Sequence, residues 1–388
     1  MKNNLLLVAF LASMSLFSCS KNAPYDVEVK VVEPTCISEG YTEHKRNDGY
    51  VYRDNITPKS DHTYREVNIG GEEGITYYIC DVCGHLRYEF NDPEYDTDVV
   101  IDHNREKPCF TNHKVMPVSM IIENNVDDAI IKIRKSEAHG AKGIMVYVTA
   151  LNREYWNIND LERVMYCTNL PVLAIAYNGS FAGNTVSQSW EDFANLLKLS
   201  VQAGACAVDM PGYLFNPDAG NIYNENKTLK ASYVEKGMDV SFVDANAREL
   251  SLNETVIEQQ RAFINEIHEL GAEVLYSAHV GVQMSAEQTV AAAKFIEYVG
   301  ADVAKLVLSG SSKETVIEHL KACMVLEQEL GIKFSVHGQS TLSRLMCPMF
   351  GSYIAFCVDE YTTSETNIQI DLATMVAILE SPELSGSN

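Results

Sequence analysis

Residues 273–309 read EVLYSAHVGVQMSAEQTVAAAKFIEYVGADVAKLVLS. A short β-rich apolar run (EVLYSAH) is followed by an amphipathic stretch over 285–299, then Gly300, then a second β-rich run from Val303 (VAKLVLS). The period changes from that of a strand to that of a helix and back, and Gly300 falls where a left-handed cap ends a helix. This strand-loop-helix-loop unit recurs outward in both directions. β-rich runs begin near Val115, Gly143, Pro171, Ala205, Glu273, Val303, Ile332 and Tyr353. Helix candidates occupy 125–139, 157–166, 190–203, 254–270, 285–299, 313–330, 340–349 and 369–380. Gly140, Gly204, Gly271, Gly300 and Gly331 stand at the expected C-caps. Eight units over 113–388 predict an α/β chain with a (β/α)8 TIM barrel. An open doubly wound sheet would announce a glycine-rich phosphate loop after its first strand, and Met120 to Asn125 contains no glycine. One interval is long. Between the Ala205 and Glu273 runs lie the expected helix and an insertion, 212–252, rich in Asn, Asp, Gly and Tyr. Because it follows a strand, it is expected on the C-terminal face, where barrel active sites lie.

The rest of the 388-residue chain divides in two. Residues 1–18 carry Lys2 and an apolar run from Leu5 to Phe17. That run is shorter than the roughly 18 apolar residues a membrane helix needs, so it reads as an export signal. Leu16-Phe17-Ser18-Cys19 resembles a bacterial lipoprotein cleavage box, which implies lipid on Cys19 and a membrane tether without a span. Ser20 after that Cys implies, by the same resemblance, the outer membrane. Residues 19–112 are rich in Tyr, Thr, Asp and Gly and alternate at period two, as in Val27 to Val32, which predicts a small β-rich N-terminal domain. Cys80-x2-Cys83-Gly84 makes a tight turn able to present two thiolates to zinc. Cys36, His62, His85 and Cys109 are candidates to complete the set, and a disulfide is the competing reading in an oxidising compartment. The segments around Cys36 and Cys80 are similar to Cys-containing repeats of secreted bacterial surface proteins.

Composition excludes several classes. With 46% hydrophobic and 21% charged residues the chain has ample core material. Its 53 acidic against 30 basic side chains give −23, which repels a phosphate backbone and excludes nucleic acid as a partner. Ten cysteines are too few for a disulfide-dense scaffold; Cys167, Cys206, Cys323, Cys347 and Cys357 sit in apolar runs and read as buried thiols.

Barrel chemistry comes from the C-terminal ends of strands. Lys305 lies among apolar neighbours, where burial penalises its charge, and a neutral lysine can attack a carbonyl to form an imine. The alternative is a salt bridge. His279 ends the preceding strand, on the same face as Ser277, placed to move a proton near neutral pH. The run SVHGQSTLSR closes on Ser343-Arg344, and a guanidinium there suits a substrate carboxylate.

Together these segments resemble type I 3-dehydroquinate dehydratase. The resemblance rests on Ser277-Ala278-His279, Gly300 to Lys305, Ser335 to Arg344, Phe350 to Phe356 and Ile368-Gln369-Ile370, in the family's order. It implies an imine between Lys305 and a substrate ketone, proton transfer by His279, carboxylate binding by Arg344 beside Ser343, and a contact from Gln369. It implies no cofactor for catalysis. The family's charged hydroxyl ligands on strands two and three align with Met145-Val146-Tyr147 and Ala174-Ile175-Ala176-Tyr177, so Tyr147 and Tyr177 stand in their places. The expected partners are a hydroxylated keto acid and a membrane reached through the lipid, with a second copy in a homodimer left open. Two alternatives remain: another imine-forming lyase or aldolase, and a surface binding protein on the same barrel.

Overall fold

The computed structural model describes residues 24–67, 75–84, 86–90, 97–112, 114–181, 184–216, 222–359, 361 and 368–381. Cys19, the export signal and His85 lie outside them. The chain divides into two compact units after Tyr95. Among the described residues the first contains six strands in two antiparallel sheets: β1 (Asp26–Val32), β2 (Gly40–Arg46) and β3 (Val51–Thr57), then β4 (Tyr64–Val67), β5 (Ile75–Cys80) and β6 (Leu86–Phe90). Alternation in β1 does not bury one face: Val27, Val29 and Val31 are all exposed. Cys80, at the end of β5, is buried.

Among its described residues the second unit has eight parallel strands in barrel order: β7 (Met116–Ile121), β8 (Gly143–Tyr147), β9 (Val172–Ile175), β12 (Ala207–Pro211), β13 (Glu273–His279), β14 (Val303–Val307), β15 (Lys333–His337) and β16 (Ile354–Val358). A hairpin, β10 (Gly179–Phe181) and β11 (Asn184–Val186), follows β9, and a short β17 (Ile370–Asp371) pairs with β16. β16 pairs in parallel with β7. The last seam is made differently: Tyr353 N donates to Phe334 O at 2.7 Å, and the buried Ser352 hydroxyl accepts from Val336 N and donates to Val336 O. These bonds join β15 to β16 and close the (β/α)8 ring predicted from the sequence.

Strand parity separates two apolar layers. Ile144, Val146, Val208, Val274, Ala304 and Leu306 pack outward against helices, whereas Val118, Met145, Leu173, Leu275, Val303 and Phe356 fill the interior. The helices around the ring are α1 (Val126–Ala138), α2 (Ile158–Tyr166), α3 (Trp190–Gln202), α4 (Ile222–Glu235), α5 (Glu254–Glu269), α6 (Ala286–Val299), α7 (Lys313–Glu329), α8 (Thr341–Met349) and α9 (Leu372–Leu379). Their starts are fixed by side-chain caps such as Asn125, Ser189, Ser312 and Asp371, and Ser285 with Gln288 forms a full capping box before α6. Gly300 closes α6 at φ +111°, as expected. Gly331 does not play that part: α7 ends at an extended Leu330, and Gly331 N donates to the Glu297 carboxylate at 2.8 Å.

Two boundaries differ from expectation. Residues 97–112, read as the end of the N-terminal domain, fall in the barrel's unit. Phe110 is buried in the interior layer beneath Tyr353, and Glu273 at the start of β13 accepts from the backbone N–H groups of Phe110 and Thr111. Cys109 Sγ lies 3.5 Å from the same carboxylate, so this thiol is committed to the barrel and not to a metal set. The insertion 212–252 contains helix α4, which its composition did not announce. It is held by Asn226, whose amide bonds Leu250 O and Leu252 N, and by the buried Tyr233, whose hydroxyl donates to Leu252 O. Among the described residues no helix is long and apolar enough to cross a membrane.

Candidate active site

Lys305 occupies the middle of β14 on the inward face, in register with Ser277 of β13 and Ser335 of β15. Its side chain is 6% exposed, and Nζ donates to Asp209 Oδ2 at 2.8 Å. Asp209, on β12, is fully buried. Its second oxygen accepts from Ser277 Oγ at 2.5 Å and from Tyr177 OH at 3.3 Å, while these two hydroxyls lie 2.9 Å apart. A buried carboxylate is tolerated only when charge and hydrogen bonds satisfy it, and here an ammonium and two hydroxyls do so. Burial, then the Asp209 charge, pushes the Tyr177 phenol well above its ordinary range, so it stays a donor. Nζ also sits 4.9 Å from the Phe356 ring centroid, a cation–π contact from β16.

His279, at the C-terminal end of β13, is 41% exposed and packs edge-on against Tyr177 with centroids 5.5 Å apart. Its backbone N–H donates to Glu249 Oε2 at 2.8 Å, and its Nδ1 lies 3.3 Å from the same oxygen. Glu249 belongs to the insertion. Its backbone is left-handed at φ +62°, which costs a non-glycine residue about 1–2 kcal/mol. The position is enforced by packing: a Cβ on Gly212 would collide with Glu249 O, and the buried Tyr276 hydroxyl lies 3.3 Å from that oxygen. The insertion thus supplies the carboxylate that orients the imidazole and holds one nitrogen.

A second polar group faces the same interior from α8 and β15. Arg344 is 7% exposed and donates from Nη1 to Gln369 Oε1 at 2.8 Å. Burial pushes the guanidinium down to about 10, which leaves it cationic at neutral pH. Its buried Nε has no partner among the described residues. His337, in β15, is held neutral, its pKa driven well below the ordinary range by burial and by the neighbouring Arg344 and Lys305 charges. Tyr147, from β8, lies 6.4 Å from the Tyr177 ring and is nearly buried.

Lys305, His279, Tyr177, Arg344, Gln369 and Tyr147 therefore converge on one end of the barrel. Ser343 does not join them. Its hydroxyl is fully buried, accepts from Gly338 N at 2.8 Å and lies 3.0 Å from His319 Nδ1. Neighbours on a helix point about 100° apart, so when Arg344 faces the interior Ser343 turns toward α7. It ties α8 to the loop after β15 and to α7. Ser343→Ala is expected to destabilise the fold by roughly 1–3 kcal/mol, by leaving Gly338 N unsatisfied, with KM unchanged. Denaturant midpoints and steady-state kinetics check this, and a KM rise without loss of stability would contradict it.

Two groups were missed by the sequence reading. Asp209 carried the same signal as Lys305, a charge inside an apolar strand. Glu249 carried none, because the insertion has no period to place it. A cavity of about 950 Å3 lies among Lys114, Asp302, Lys333 and Tyr353. These residues precede or begin their strands, so it opens at the end opposite Lys305, the face associated with stability more than chemistry.

Residues 218–385 match the type I 3-dehydroquinase family model. This bears out the resemblance drawn from the sequence, and the matched stretch contains Glu249, His279, Lys305, Arg344 and Gln369. Solved structures similar to the chain include a type I 3-dehydroquinate dehydratase from Clostridium difficile with covalently modified comenic acid. It shows 17% identity and a TM-score of 0.49, over 69% of this chain and 93% of that one. A 3-dehydroquinate dehydratase from Geobacillus kaustophilus shows 16% identity and a TM-score of 0.49, over 69% of this chain and 92% of that one. None of the curated proteins searched matches the chain. Tyr147, Tyr177 and Asp209 precede the stretch matched to type I 3-dehydroquinase.

Proposed function

We propose that the barrel is an imine-forming hydro-lyase acting on 3-dehydroquinate or a related hydroxylated keto acid. The observation that carries this reading is the buried Lys305–Asp209 pair, one strand from an accessible His279 that is oriented by Glu249. Lys305 passes its proton to Asp209 and attacks the substrate ketone; Asp209 returns that proton to the carbinolamine hydroxyl, which leaves as water, and the carboxylate then balances the iminium charge as it balanced the ammonium. The iminium acidifies the adjacent C–H. His279 takes that proton, the electron pair shifts into the carbon–nitrogen system, and the β-hydroxyl departs as water with the proton returned by His279. Hydrolysis of the conjugated iminium releases the enone and restores the amine. Arg344 holds the substrate carboxylate through its uncommitted Nε, with Gln369 fixing the guanidinium plane.

The phenols at Tyr147 and Tyr177 favour a substrate other than dehydroquinate itself, since a site lacking the charged hydroxyl ligands discriminates poorly for those hydroxyls. The same lysine then serves a related lyase reaction. The test separates the two chemical roles. His279→Ala should lower formation of the conjugated product, followed by its ultraviolet absorbance, by about 10²–10⁴-fold, while borohydride still traps the substrate on the protein. Undiminished turnover in that variant would remove His279 from the mechanism. If no keto acid yields either product or adduct, the barrel is a binding protein.

A further inference from the structure

We propose that the N-terminal unit holds one structural Zn2+ bound by Cys36, His62, Cys80 and Cys83. These residues come from three separate segments. Cys36 lies in the connection between β1 and β2, His62 just before β4, and Cys80 and Cys83 at the end of β5 and in the turn after it. Their ligand atoms all lie within 4.8 Å of one another, with Cys36 Sγ 3.7 Å from Cys80 Sγ and Cys83 Sγ 3.3 Å from His62 Nδ1. A tetrahedron with Zn–S of about 2.3 Å and Zn–N of about 2.0–2.1 Å places its donors roughly 3.5–3.8 Å apart. The Cys36–Cys80 separation has that value, and the remaining pairs come within about 1 Å of it. A disulfide between Cys36 and Cys80 would need their sulfurs at about 2.05 Å, and they stand 3.7 Å apart.

The backbone is arranged for this convergence. Gly84, at φ +74°, turns the chain after Cys83 and donates its N–H to Cys80 O at 2.9 Å. Asp81 N bonds Thr63 O, which ties the Cys-x2-Cys turn to the segment of His62, and Ser60 N bonds Thr35 O, which ties that segment to Cys36. Many of the unit's described apolar side chains do not pack inward. Val27, Val29, Val31, Ile37, Val51, Ile56 and Val82 are exposed, whereas Cys80 is buried. A β-unit this small, with so many of its apolar side chains facing outward, gains from a staple, and a closed four-ligand zinc site supplies one without redox chemistry. Three thiolates with one imidazole select Zn2+ over Mg2+ and Ca2+, which take oxygen ligands. The site is separate from the barrel's proposed reaction and stands or falls apart from it.

The test uses the full chain purified without chelator. Elemental analysis should find about one zinc per chain. Removing the metal and adding Co2+ alone should give the thiolate-to-cobalt charge-transfer absorption and the visible bands of a tetrahedral site. Cys80→Ser and His62→Ala should each reduce bound zinc at least tenfold, and metal removal should speed proteolysis of residues 24–90 while leaving barrel turnover unchanged. Because the cobalt spectrum is read on the unmodified chain, a variant that fails to fold does not decide the question. Absence of zinc, together with a Cys36–Cys80 disulfide found by peptide mapping, would overturn the assignment.

Discussion

Replacing Lys305 with Met is expected to reduce product formation by on the order of 10⁴-fold or more, because the reaction loses its covalent partner and not merely a contact. The barrel should survive the change. Asp209 would retain the Ser277 and Tyr177 hydroxyls as donors, and the introduced thioether would sit against Phe356, where the ammonium now lies. Circular dichroism and the denaturation midpoint establish that the variant is folded; turnover within tenfold of the parent would remove Lys305 from the chemistry.

The second large effect is on stability and is asymmetric. Lysine has only donors to offer, so when Asp209 is lost the buried ammonium has no acceptor in its place. Asp209→Ala is therefore expected to cost about 3–5 kcal/mol, the range for breaking a buried ion pair by removing one partner, and to cost more than Lys305→Met. The double variant Lys305→Met/Asp209→Leu should recover much of that loss, since apolar groups of similar volume remove the desolvation penalty from both sides. Chemical denaturation of the three variants measures this. A double variant no more stable than Asp209→Ala would show that the pair is not what makes the single change costly.

The barrel was legible because each unit repeats the same change of period and its helices begin at strong caps such as Ser285 and Ser312. Its last seam was not, since Ser352 bridges β15 and β16 through a side chain that no pattern distinguishes from a loop serine. Lys305 and His279 could be read because a charge among apolar residues, or a histidine ending a strand, contradicts a purely structural role. Asp209 met the same criterion and was overlooked. Glu249 could not be found this way: its position depends on Gly212, Tyr276 and a left-handed backbone in a segment without periodicity. Ser343 was misassigned for a geometric reason, since it shares a helix with Arg344 and the two cannot face one pocket. Residues 97–112 were given to the wrong unit because Phe110 and Thr111 are bound by Glu273, more than 160 positions away, and local composition cannot report a contact of that range.

The proposed mechanism turns on a covalent bond at one nitrogen. The direct measurement is borohydride reduction of the wild-type protein in the presence of 3-dehydroquinate and a panel of hydroxylated keto acids, followed by intact mass and peptide mapping. The mechanism predicts a single reduced adduct, located on Lys305 and absent from the Lys305→Met variant. An adduct on another lysine, or none with any of these substrates while product still forms, would contradict it.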